Sequence, residues 1–249
     1  MDDLSRITRR TLVAGMLAAT LPAPALAARR DERFQIIETI GGGRLGVAVY
    51  DDETGRHSAW SGHERFAMCS TFKLLAASLV LHRVDHGVET VDRLVGYGQD
   101  AIVPNSPITS LHVGTGMTIS ALCEAAITRS DNTAGNLLLA SFGGPAALTG
   151  FAHRLGGGRT RLDRIETELN SATPGDRRDT TTPLDMIGLM RRLLLGHALS
   201  VPSRALLLSW LSANRTGGRR LRAGLPTGWQ IGDKTGSGEN GTTNDVGIL

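Results

Sequence analysis

The chain has only two lysines among its 27 lysines and arginines, Lys73 and Lys234. Each stands beside a hydroxyl side chain, in Ser70-Thr71-Phe72-Lys73 and in Lys234-Thr235-Gly236. Arginine fills every other cationic position, so these two sites call for something guanidinium cannot do. An ammonium can lose its proton when desolvated, whereas guanidinium stays charged. At helical spacing, residues three apart share a face, which sets the Lys73 amine beside the Ser70 hydroxyl. A serine is a poor nucleophile until a neighbouring base takes its proton, and a helix start favours the negative charge that then develops. Such a pair recurs by chance in many chains. It gains weight here from Ser130-Asp131-Asn132, between two helical stretches, and from Gly236, which lets a ligand approach the backbone of a strand. The chemistry implied is nucleophilic attack by a serine that a neighbouring base activates.

The elements that must position these groups follow from periodicity and punctuation. Segments 45–50 and 56–60 alternate as strands around Asp51-Asp52-Glu53-Thr54-Gly55, a hairpin. Residues 69–84 are apolar on nearly all sides, as in a buried central helix. Further helices are predicted over 119–128, 133–141, 145–155, 183–195 and 203–211. The one at Pro183 has Thr182 as its cap and Asp185 in its first turn. Strand character returns over 229–237 and 245–249. Strands at both ends and helices between predict an α/β chain of two domains. In it, an antiparallel sheet domain built from residues 28–62 and 213–249 carries an inserted all-helical domain over 63–212.

The composition excludes several classes. With 41% hydrophobic and 20% charged residues and a formal charge of +3, the chain is an ordinary globular one with no basic run interleaved with aromatics, so no nucleic acid is expected as partner. The seven histidines and two cysteines show no metal-ligand spacing, and neither metal nor cofactor is expected. Residues 1–27 read as an export signal. Arg9-Arg10 precede an apolar stretch too short to cross a bilayer and a small-x-small site, Ala25-Leu26-Ala27. Thr8-Arg9-Arg10-Thr11-Leu12 is similar to a twin-arginine signal, so the mature chain is expected in the periplasm or outside the cell, without stable membrane association.

With these motifs in this order, the chain resembles the class A serine β-lactamases from residue 30 to its end. A fourth motif, Glu166-Thr167-Glu168-Leu169-Asn170, matches the family's Ω-loop, here 161–179, and Arg164 with Asp179 matches the salt bridge that closes it. The resemblance implies hydrolysis of a β-lactam ring by a monomer, with Ser70, Lys73, Ser130 and Glu166 catalytic. Asn132, Asn170, Lys234, Thr235, Gly236, Ser237 and Arg220 would bind substrate, and the Ser70 and Ser237 N–H groups would form the oxyanion hole. Whether Lys73 or Glu166 is the acylation base stays open. A penicillin-binding peptidase would share the other motifs without needing Glu166, and a penicillin-sensing domain is the non-enzyme alternative. Asn105 stands where the family has an aromatic or histidine. Cys69 and Cys123 lack their family partners, since Gly238 and Ala77 occupy those places, so neither is expected in a disulfide. The family follows the position of Leu249 with one more strand and a long helix. On that pattern the 249-residue chain alone is expected to be insoluble or inactive.

Overall fold

The computed structural model describes residues 32–249. The export signal expected over 1–27 lies outside the described residues. The centre of the molecule is α2 (Phe72–Asp85), buried on every side from Phe72 to Leu81. Such a helix is held by its neighbours rather than by one apolar stripe, and each fully buried Leu or Phe contributes roughly 1.5–3 kcal/mol relative to exposure. Around it pack α3 (Ile119–Thr128), α4 (Asn132–Ser141), α5 (Pro145–Arg154) and α7 (Val201–Ser212), with α6 (Pro183–Leu194) against α7. Leu122, Leu138, Leu148, Phe151, Leu189 and Leu207 join α2 in one core.

The helix starts are where the residue types put them. Thr118, Asp131, Thr182 and Ser200 each accept a backbone N–H in the first turn of α3, α4, α6 and α7 respectively. These caps satisfy donors that a helix start would otherwise leave unpaired, typically for about 1 kcal/mol each.

Two antiparallel hairpins flank the helices. The first joins β1 (Val47–Tyr50) to β2 (His57–Trp60), with Val47 opposite Trp60. The two-residue strands β3 (Phe66–Ala67), β4 (Leu94–Val95), β5 (Met117–Thr118) and β6 (Thr180–Thr181) form two short ladders, β3 with β6 and β4 with β5. The second hairpin joins β7 (Gly232–Ser237) to β8 (Thr243–Ile248), with Lys234 opposite Val246. Among the described residues the two hairpins share no ladder; β1 packs on α6, and β7 packs on α7 and on the turn at Cys69–Thr71.

Two elements differ from the sequence expectation. The strand expected from 229 begins only at Gly232, because Trp229 closes a turn onto the Pro226 carbonyl, through Gly228 at φ 91°. A helix absent from the sequence expectation, α1 (Glu32–Gly41), precedes the first hairpin, although Phe34, Ile37 and Ile40 recur there at helical spacing. Its Ile36, Ile37 and Ile40 face solvent. Glu38 ties it to the hairpin, accepting the Leu45 N–H at 2.7 Å and the Trp60 indole N–H at 3.1 Å.

Cys69 and Cys123 are both free and buried. Burial first, then the nearby Glu166 and Asp179 charges, pushes the Cys69 thiol up to about 12, and burial pushes Cys123 upward as well. Since the thiolate is the reactive form, a thiol reagent at neutral pH should modify neither in native protein and both in unreduced, denatured protein. Absence of thiols after denaturation would mean that they are bridged.

Candidate active site

Four segments converge on the start of α2. A short 3-10 turn, Cys69–Thr71, leads into the helix and carries Ser70. Cys69 enters it at φ 45°, a left-handed conformation that non-glycine residues seldom adopt. Lys73 lies one turn on, its Nζ 2.9 Å from the Ser70 Oγ. The expected i,i+3 pairing is therefore present, within a fully buried ammonium.

Lys73 Nζ also donates to the Ser130 carbonyl at 2.8 Å and to Asn132 Oδ1 at 2.7 Å, and lies 2.9 Å from Glu166 Oε1. Burial lowers the proton affinity of Lys73, and the Glu166 carboxylate works against that shift. Lowered proton affinity moves Lys73 toward the neutral amine that base catalysis requires. Lys234, equally buried, is lowered well below the ordinary lysine range, by burial first and then by the Lys73 charge. Its Nζ donates to Ser130 Oγ at 3.0 Å and to the Thr235 carbonyl at 2.7 Å. Ser130, at φ 57°, thus stands between the two amines.

Asp131 makes that loop rigid. Fully buried, it accepts the N–H groups of Ile108, Thr109 and Ala134 and the Thr109 hydroxyl at 2.8–3.0 Å. Asn105, also left-handed at φ 61°, donates through its amide to the Ser130 carbonyl and accepts the Asn132 N–H. The residue that departs from the family pattern is thus part of the scaffold behind Ser130. Gly135 completes the fit, since a Cβ there would lie 2.9 Å from Lys73 Cε.

Glu166 arrives from the 161–179 loop. Its Oε1 accepts the Ser70 hydroxyl at 3.0 Å and its Oε2 accepts the Asn170 amide at 2.5 Å. Asn136 holds its backbone reciprocally, donating to the Glu166 carbonyl and accepting the Glu166 N–H, each at 2.8 Å. The Glu166–Thr167 peptide is cis. The expected loop closure is present: Arg164 Nε lies 2.6 Å from Asp179 Oδ2, while Asp179 Oδ1 accepts the N–H groups of Asp163 and Arg164.

The far wall is β7. Arg220 donates to the carbonyls of Gly236 and Asn244 and, through Nη2, to Ser237 Oγ at 3.0 Å. Thr235 hydrogen-bonds Thr216. Gly236 sits where a Cβ would be 2.7 Å from the Met68 carbonyl, so only glycine allows β7 to lie so close to the nucleophile turn. Every residue expected at the site is brought to this cleft. Asp131 and Asn136 were not foreseen as site residues. Asn136 could have been found, because Asn132 and Asn136 are four apart and share a helix face.

The model for the β-lactamase enzyme family matches residues 29–249. β-Lactamases OXY-1 and OXY-2 of Klebsiella oxytoca are 46% and 45% identical over 88% and 94% of this chain, covering 75% and 83% of their own lengths. The solved structure of the ancestral class A β-lactamase GNCA superposes with a TM-score of 0.86 at 59% identity, over 87% of this chain and 84% of that one. The chain belongs to the class A β-lactamases.

Behind β7, Asp245 faces Asp233, which is fully buried and bonded to Arg222. Burial first, then the Asp233 charge, raises the Asp245 carboxyl to about 6, against the Leu221 N–H and the charges of Arg220 and Lys234. A carboxyl raised in the folded state favours folding while protonated, and that contribution is lost as pH rises through about 6. Asp245 is partly exposed, so solvent screening trims the effect to about 1 kcal/mol. Relative to Asp245→Asn, the natural chain should therefore gain stability as pH falls from neutral toward the unfolded carboxyl range. A stability gap that stays constant in urea titrations across this range would contradict the assignment.

Proposed function

We propose that this β-lactamase opens the β-lactam ring with Ser70 as nucleophile and releases the acyl group by water that Glu166 activates. The observation that carries the reading is the Ser70 Oγ, held 2.9 Å from the Lys73 amine and 3.0 Å from the Glu166 carboxylate. Both neighbours touch the hydroxyl: the Glu166 carboxylate, or Lys73 once it is a neutral amine, would take its proton as the oxygen attacks the ring carbonyl. The tetrahedral oxyanion would rest between the N–H groups of Ser70 and Ser237. Ser130, in contact with Lys234 and near Lys73, would deliver a proton to the ring nitrogen as the amide bond breaks. Lys234, Thr235, Ser237 and Arg220 would hold the substrate carboxylate beside Gly236, and Asn132 its side-chain amide.

Deacylation needs a second nucleophile, a water molecule that attacks the acyl carbon. Glu166 and Asn170 would orient and deprotonate that water, and this distinguishes hydrolysis from the stalled acylation of a penicillin-binding peptidase. We further infer that the chain acts as a monomer after export, its signal lying in residues 1–27. The substrate is expected to be a penicillin or cephalosporin.

Glu166→Ala should slow deacylation by about 10²–10⁴-fold, the usual worth of a positioned general base. Mass spectrometry after penicillin exposure should then find a persistent adduct on Ser70. Normal turnover in that variant would remove Glu166 from the mechanism. Ser70→Ala should abolish both adduct and turnover.

A further inference from the structure

Away from the cleft, guanidinium groups crowd one groove at the base of the 161–179 loop. Arg44, Arg65, Arg159, Arg161 and Arg177 line two adjoining hollows of about 350 and 760 Å³ that share Arg65 and Arg159. Both hollows are shallow and open to solvent, so a ligand would lie across their arginines rather than within an enclosed cleft.

The lining carries three carboxylates, all engaged: Glu64 with Arg44 at 2.6 Å, Asp163 with Arg161, and Asp176 with Arg178 at 2.8 Å. Arg65, Arg159 and Arg177 have no carboxylate partner at their guanidinium groups among the described residues. Arg65 donates to the Arg159 carbonyl and to Thr180 Oγ1, and Arg159 to the His63 carbonyl. A guanidinium has five N–H donors, so most of theirs remain for a ligand. Burial first, then the charges of Arg177, Arg159 and Arg161, lowers the proton affinity of Arg65, while Asp185 opposes the shift. Asp185 also accepts the Arg159 backbone N–H. Uncompensated like charges oppose folding, and a bound anion would offset that repulsion.

We propose that this groove binds an anion carrying two phosphate groups, through Arg65, Arg159 and Arg177. The planar guanidinium fork matches phosphate oxygens two at a time, which the compact lysine ammonium does not. Two groups fit better than one because three guanidinium groups without a carboxylate partner carry three positive charges, which a pyrophosphate matches and a single phosphate does not. The three come from separate segments: the approach to the nucleophile turn, and both ends of the 161–179 loop. A ligand bridging them would tie those loop ends together.

The test is calorimetric titration of inorganic pyrophosphate into the protein at low salt. The cleft residues Lys234 and Arg220 form a competing anion site, so Arg220→Ala serves as the control. Binding should persist in Arg220→Ala and weaken about tenfold or more in Arg177→Glu, since each hydrogen bond to a charged group is worth at least that factor. Arg177 is exposed and its side chain makes no hydrogen bond among the described residues, so Arg177→Glu should fold; Arg177→Gln is the milder second variant. Equal affinity in wild type and both Arg177 variants, or loss of binding in Arg220→Ala, would overturn the proposal. Vesicles containing cardiolipin, whose headgroup bears two phosphates, separate the sources. Pyrophosphate-competed sedimentation that Arg177→Glu abolishes supports the site with a lipid headgroup as ligand, and pyrophosphate binding without sedimentation supports it with a soluble diphosphate. Absence of both overturns it.

Discussion

The structure is organised around the need to keep the Lys73 ammonium dry. Taking a cation out of water costs several kcal/mol unless charge and hydrogen bonds replace its hydration. Four oxygens supply them: those of Ser70, the Ser130 carbonyl, Asn132 and Glu166. They belong to three stretches of chain far apart in sequence, so the cleft forms only once α2, the loop before α4 and the 161–179 loop are in place. Breaking any one of them leaves a buried charge short of partners. Catalytic geometry and folding thus share the same contacts.

Much of this was legible from residue types. The serine and lysine at i,i+3, the Thr182-Pro183 helix start and the hairpin around Asp51–Gly55 rest on local rules, and each appears where those rules place it. What stayed hidden depends on distant chain. Nothing near Asp131 in sequence announces that its carboxylate will collect the N–H groups of residues 108 and 109. The strand start at Gly232 was equally opaque, since a turn at Pro226 decides it, whereas α1 was legible in the helical spacing of Phe34, Ile37 and Ile40 and went unread. Gly236 reads from the sequence as a place where a ligand nears the strand backbone, but that β7 must also lie against the Met68 carbonyl there, and that Gly135 must clear Lys73, depends on the groups opposite them.

The loop bearing Glu166 is fastened by different forces at different points. Arg164 and Asp179 close its base through a pair that is mostly shielded from water. At its tip, Asn136 grips a peptide group and Asn170 a carboxylate oxygen. The Glu239 N–H and the Asn240 amide reach across from the β7–β8 turn to the carbonyls of Asn170 and Ser171. The position of Glu166 is therefore referred to α4 and to β7 together, the same two elements that position Ser130 and Lys234.

The arginine bias noted at the outset has a consequence for how the folded molecule meets chemical reagents. Its two lysines are both wholly enclosed, and arginine carries the side-chain positive charge at the surface. To an acylating label, an amine cross-linker or an activated-ester resin, the surface of the described residues therefore offers no lysine amine while the fold stays closed, and both lysines become reactive only when it opens.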